Sequence, residues 1–222
     1  MIFRWQAWLA PVAIALLPAA ELTWKDKPVS DWTAADAQQA LTDSPWVKSV
    51  TSKFAAQHAR PVLVQPVTPM GRPYGLPRTV TVKTPTPAGD PPTLTLRWES
   101  ALPMRGAQLK SHNVNAPAID DDHYGVAVYG IPERLLGGDP ETFSARVRPE
   151  GALKREGKKT IQASSITLLP RDNGSIVVFY FPKKEEISVK DKSIEFSGRV
   201  GLVEFEQSFS LTDMIFGGKL EL

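Results

Sequence analysis

Prolines at positions 61, 66, 69, 73, 77, 85, 87, 91 and 92 crowd one stretch of the chain and set what it can become. Each removes a backbone donor and fixes φ, so neither a helix nor a central strand can run through residues 60–92. Extended, solvated, polyproline-like chain is expected there, although Thr79-Val80-Thr81-Val82 alternates as a short strand does. The stretch reads as a linker between a helical segment at 21–59 and a strand-rich domain at 93–222.

The N-terminus carries an independent signal. One positive charge, Arg4, precedes a continuously apolar run from Ala7 to Leu17 and then the small residues Ala19 and Ala20. That is the order of a secretory signal peptide, placed at residues 1–20. The apolar run, about 11–14 residues, falls short of the roughly 20 a spanning helix needs, so no transmembrane span is expected. Pro18 and Leu17 depart from the small-x-small cleavage pattern, which keeps an uncleaved interfacial anchor as the weaker reading. The expected location is periplasmic or secreted. With no cysteine in the chain, disulfides, thiolate metal sites and cysteine nucleophiles are all excluded. The formal charge is only +2, with Arg4 inside the signal. A nucleic-acid binder needs a concentrated basic surface, so that class is set aside.

Within the 21–59 segment, Thr33 is placed to cap a helix from Ala34 to Leu41, with Asp36 in its first turn. Ser44-Pro45 ends that helix and suggests a second short one starting at Pro45, with Trp32, Trp46 and Val50 as apolar anchors. Beyond the linker, Thr93 to Glu99 alternates with period two and reads as the first strand of the main domain. A helix follows over Ala101 to Lys110. His123 to Tyr129 is almost continuously apolar, as a central strand covered on both faces is. Gly137-Gly138-Asp139-Pro140 predicts a short helix over Pro140 to Arg148. Strands are expected at Ser165 to Leu169, Ser175 to Phe181, Ile194 to Val200, Leu202 to Phe209 and Ile215 to Leu222, joined as an antiparallel meander. The fold class is therefore α+β: an antiparallel β-sheet or sandwich with one or two inserted helices, preceded by a short helical segment and the proline-rich linker.

Three blocks carry a resemblance: Lys27-Pro28-Val29-Ser30-Asp31-Trp32-Thr33 with Leu41-Thr42-Asp43-Ser44-Pro45-Trp46, then Arg97-Trp98-Glu99-Ser100-Ala101-Leu102-Pro103, then Leu211-Thr212-Asp213-Met214 with the closing Gly218-Lys219-Leu220-Glu221-Leu222. Together they resemble a family of exported bacterial proteins of unknown function. The likeness implies an address and an architecture, and no chemistry.

Candidate functional residues are few. Asp120-Asp121-Asp122-His123 is the densest set of metal-capable groups, with Asp120, Asp122 and His123 as the candidate ligands. The run lacks the alternating ligand spacing of a calcium loop and a second histidine at helical spacing for zinc, so a solvated loop entering the strand is the plainer reading. Glu99 at a strand end could pair with Asp120 or Asp122 as hydrolase carboxylates, while capping or a pair with Arg105 explains it more simply. No Gly-x-Ser-x-Gly elbow occurs, and Gly137-Gly138 and Gly217-Gly218 lack the spacing and lysine of a phosphate loop, so no cofactor is expected. Lys154-Arg155-Glu156-Gly157-Lys158-Lys159 reads as a solvated basic surface. Trp24, Trp32 and Trp46 flank a segment too short to bury three indoles by itself; they either pack on the strand domain or capture an envelope protein or glycan. The functional expectation is an exported interaction or accessory protein without catalytic activity. The alternative is a metal-dependent or carboxylate-based hydrolase centred on Glu99 and Asp120 to His123.

Overall fold

The computed structural model describes residues 23–55, 60–64, 69–71, 75–82, 87–112, 116–136, 150–171 and 174–222. The signal peptide expected over 1–20 and the helix expected over 140–148 lie outside these residues.

The alternating segments form two antiparallel five-stranded sheets. In the first, the spatial order is β1 (Val47–Thr51), β5 (Thr93–Trp98), β6 (His123–Ile131), β10 (Ser175–Pro182) and β9 (Ser165–Leu169). In the second it is β2 (Lys53–Phe54), β12 (Val203–Ser210), β11 (Ser193–Val200), β7 (Glu150–Lys154) and β8 (Ile161–Gln162). The sheets face each other as a sandwich. Phe179 and Phe181 of β10 meet Phe196 of β11 at ring separations of 5.4 and 5.8 Å, and Phe205 of β12 lies 5.3 Å from Phe196. Edge-to-face packing of this kind adds to the burial of large apolar area that drives the two layers together.

Side-chain size sets how closely the layers approach. Gly151 and Gly198 are register partners on β7 and β11. A Cβ at Gly151 would stand 2.4 Å from Phe179 Cδ1, and one at Gly198 2.7 Å from Phe205 Cζ. The glycine pair is the space the two rings occupy.

Strand β6 is central, between β5 and β10, and apolar on both faces as its composition implies. Val126 and Val128 enter the inter-sheet core, whereas Ala127 joins Ile176 and Val178 in a small outer cluster against which Ile119 and Tyr180 pack. Among the described residues two α-helices accompany the sheets. Helix α1 (Ala34–Thr42) starts with a full capping box: Thr33 accepts from the Asp36 amide, and the Asp36 carboxylate accepts from the Thr33 amide. Those hydrogen bonds hold the Asp36 carboxyl below its usual range. Helix α2 (Leu102–Lys110) has Pro103 in its first turn.

Several expectations are corrected. No helix begins at Pro45; a turn closed by the Val47 amide on Ser44 O leads straight into β1. Tertiary pairing with β5 outweighs the helix-start chemistry of a proline at the first position. The 21–59 segment thus adds an edge strand to each sheet, with Ser52 between them bonding Pro92 O through its amide and hydroxyl at 3.1 and 2.7 Å. The C-terminal strands do not form one meander. Hairpin β9–β10 belongs to the first sheet and β11–β12 to the second. Residues 150–162, for which no strand is expected, supply β7 and β8. The last expected strand is a tight hairpin, β13 (Ile215–Phe216) and β14 (Lys219–Leu220), because Gly217 and Gly218 turn at φ +56° and +79°.

Within the proline-rich stretch, β3 (Arg60–Val64) pairs with β4 (Arg78–Val82) as a two-stranded ribbon. The alternation at Thr79 to Val82 is the second of these strands. No helix among the described residues is long and apolar enough to cross a membrane.

Candidate functional site

Glu99 follows β5 on the outer face of the first sheet, beneath α2. Its Oε1 accepts from Arg97 Nε at 2.5 Å and from the Tyr129 hydroxyl, and its Oε2 accepts from Gln108 Nε2. Arg97 Nη2 donates to the Tyr129 hydroxyl, and the guanidinium lies 4.4 Å from the centre of that ring. The Glu99 side chain has no solvent exposure and that of Arg97 only 10%. A carboxylate removed from water this completely is tolerable only when paired and hydrogen-bonded. Both oxygens are occupied by internal donors, so Glu99 serves as the acceptor that holds β5, β6 and α2 in register. Burial, and next the Glu99 charge, push the Tyr129 phenol far above its usual value. The partner of Glu99 is therefore Arg97, two residues away on the same strand face, and not Arg105, which lies 3.7 Å from the exposed Asp121.

The acidic run lies on the loop entering β6. Asp120 Oδ1 meets His123 Nδ1 at 2.7 Å and accepts from the Asp122 amide at 3.0 Å. The His123 hydrogen bond keeps the Asp120 carboxyl below its usual range. Beside this pair lies a hollow of about 510 Å³ lined by Ser165, Thr167 and Tyr180. Among the described residues no three His, Asp or Glu side chains gather as metal donors. No hydrogen bond or ion pair there joins Glu99 to Asp120, Asp122 or His123.

Trp24, Trp32 and Trp46 come together, but inward. Their exposures are 0, 4 and 0%, and with Phe216 of β13 they form one aromatic cluster, Trp24 and Trp32 being 5.1 Å apart. Trp32 Nε1 donates to Trp24 O at 3.0 Å and Trp46 Nε1 to Glu221 O at 2.7 Å. The short helical segment docks on the strand domain through these rings.

A surface depression of about 670 Å³ lies on the second sheet. Because Gly151, Gly198 and Phe205 face the core, period two sends their neighbours to the outer face. Lys53, Glu204, Arg199 and Glu150 form one row of alternating charge across four strands. Arg199 stands 3.8 Å from Glu150 and 3.9 Å from Glu204. The next row is Glu206, Ser197, Ala152 and Gln162, whose short central pair forms the floor. Lys154 bounds the trough by bonding Glu195 at 2.7 Å, which lowers the Glu195 carboxyl and raises the Lys154 ammonium.

This face escaped the sequence reading because half of it sits on β7 and β8. The readable signal was the polar alternation Glu195-Ser197-Arg199 facing Glu204-Glu206-Ser208. The basic run is solvated as read at Lys154, Glu156, Gly157, Lys158 and Lys159, and differs at one residue. Arg155 is buried, bonding Glu185 at 2.6 Å and approaching Asp191 at 3.8 Å, and Lys158 reaches Asp191 at 2.5 Å. These pairs join the end of β7 to the residues before β11, with Arg155 and Asp191 buried and Lys158 and Glu185 at the solvent edge.

No protein-family model, curated protein or solved structure matches the chain.

Proposed function

We propose that this is an exported accessory protein of the cell envelope that acts by binding and not by catalysis, with the trough on the second sheet as its binding face and a hydrated envelope glycan as its partner. The observation that carries this reading is the arrangement of the trough. Carboxylates of Glu150, Glu204 and Glu206, the Gln162 amide, the Ser197 hydroxyl and the Arg199 guanidinium line one shallow depression. Sugar hydroxyls both donate and accept, so a surface mixing strong acceptors with a planar donor fork matches them. The internal use of Glu99 supports the same reading, since its oxygens are committed to Arg97, Tyr129 and Gln108.

The test is cosedimentation of the full chain with insoluble envelope polysaccharide, beside Arg199→Ala and Gln162→Ala variants. Binding weakened about tenfold by the pair is expected if these side chains are central to the contact. The protein recovered from the cell envelope should also be shorter by about 20 residues. Full-length protein confined to the cytoplasm, or binding indifferent to both substitutions, would overturn the proposal.

A further inference from the structure

We propose that the ribbon of β3 and β4 is a docking arm whose apolar end enters the interface of an anionic lipid bilayer. Seven large apolar side chains are well exposed among the described residues, and four belong to one end of this ribbon: Leu63 at 73%, Val64 at 39%, Met70 at 90% and Leu76 at 88%. Leu63 and Val64 close β3, while Met70 and Leu76 lie in the connection to β4. Single exposed apolar residues are ordinary, but several gathered at one end of a ribbon mark an interaction surface.

The charge of the same stretch selects the partner. Residues 56–89 contain Arg60, Arg72, Arg78 and Lys83 and no Asp or Glu, in a chain whose total formal charge is only +2. Arg78 is exposed at the start of β4. Arg78 pairs with Val64, so its cation stands at the apolar end, and a cation with exposed Leu and Met is the pair of attractions an anionic membrane surface rewards: the charge meets lipid headgroups and the apolar side chains enter the acyl boundary. A soluble polyanion satisfies the charges alone and leaves Leu63, Met70 and Leu76 in water. A two-stranded ribbon has open edges, which the hydrocarbon interior does not accept, so the arm stays at interfacial depth. Pro69 and Pro77 fix φ within the connection before binding and lower the ordering cost.

The arm is independent of the trough, and separate variants distinguish them. Since the chain has no cysteine, Met70→Cys provides a unique attachment point for an environment-sensitive fluorophore. With vesicles of about one-third anionic lipid the emission should shift to the blue, and the affinity should fall about tenfold with neutral vesicles or at high salt. A Leu63→Asp, Leu76→Asp double variant, with residues 1–22 unchanged, should lose the shift while keeping its thermal unfolding midpoint and its polysaccharide binding. No shift with anionic vesicles overturns the proposal, as does a shift that survives the double variant. Binding to soluble dextran sulfate as tight as to vesicles and without a shift also overturns it, since the arm then reads charge alone.

Discussion

The indole Nε1 of Trp46 donates to the backbone oxygen of Glu221 at 2.7 Å, across 175 positions of sequence. This hydrogen bond ties the C-terminal residues to the start of β1, beside the cluster of Trp24, Trp32 and Phe216. Deleting Glu221 and Leu222 leaves the fully buried indole N–H without its acceptor, at a cost of about 1–3 kcal/mol. The shift of the urea midpoint measures it. Trp46→Phe should cost less in the shortened chain than in the full one, and strictly additive effects would show the two sites to be uncoupled.

Glu99 predicts a larger loss. Replacing it with Ala strands the buried Arg97 guanidinium and removes an acceptor from Tyr129 and Gln108, so a destabilisation of about 3–5 kcal/mol is expected. Arg97→Met together with Glu99→Leu should recover much of that, because an apolar pair carries no desolvation penalty. A Glu99→Ala variant as stable as the parent in urea would refute the structural role assigned to this carboxylate.

Asp191 sets part of the pH dependence. Burial opposes its ionisation, but the hydrogen bonds from Lys158 and the Ser188 amide, with the charges of Lys158 and Arg155, overcome burial and hold its carboxyl below the ordinary 3.8. A carboxyl depressed in the folded state stabilises the protein above its unfolded value, and that contribution disappears as pH falls through the folded value. Asp191→Asn should therefore lower stability at pH 7 and flatten the acid limb of the stability curve below about pH 4. An acid limb identical to the parent's would place the effect elsewhere.

Gly151 tests the packing of the two layers. An added methyl at 2.4 Å from Phe179 Cδ1 must displace a fully buried ring, and overpacking of this kind costs about 1–3 kcal/mol. Combining Gly151→Ala with Phe179→Leu should be less costly than the sum of the single changes, as measured by calorimetry. Additivity would mean that the glycine is present for another reason.

Most elements with a local cause were legible. The cap at Thr33 and Asp36, the alternation of Thr93 to Trp98, the doubly apolar β6 and the hairpins before Gly174 and Gly201 follow from side-chain period and turn chemistry acting over a few residues. The candidate sites were less so. Glu99 stood out, yet its partners Tyr129 and Gln108 lie 30 and 9 positions away, and nothing in the spacing announces them.

Period and composition were enough for an antiparallel α+β architecture, because alternation acts on the chain locally. Which sheet each strand joins was settled by long-range packing. Strands β10 and β11 follow one another in the chain but lie in different layers, with Phe179 and Phe196 facing each other across one core. The same closure turned the tryptophans inward and buried Arg155, because a side chain's environment is made by segments distant in sequence, whose approach no local pattern encodes.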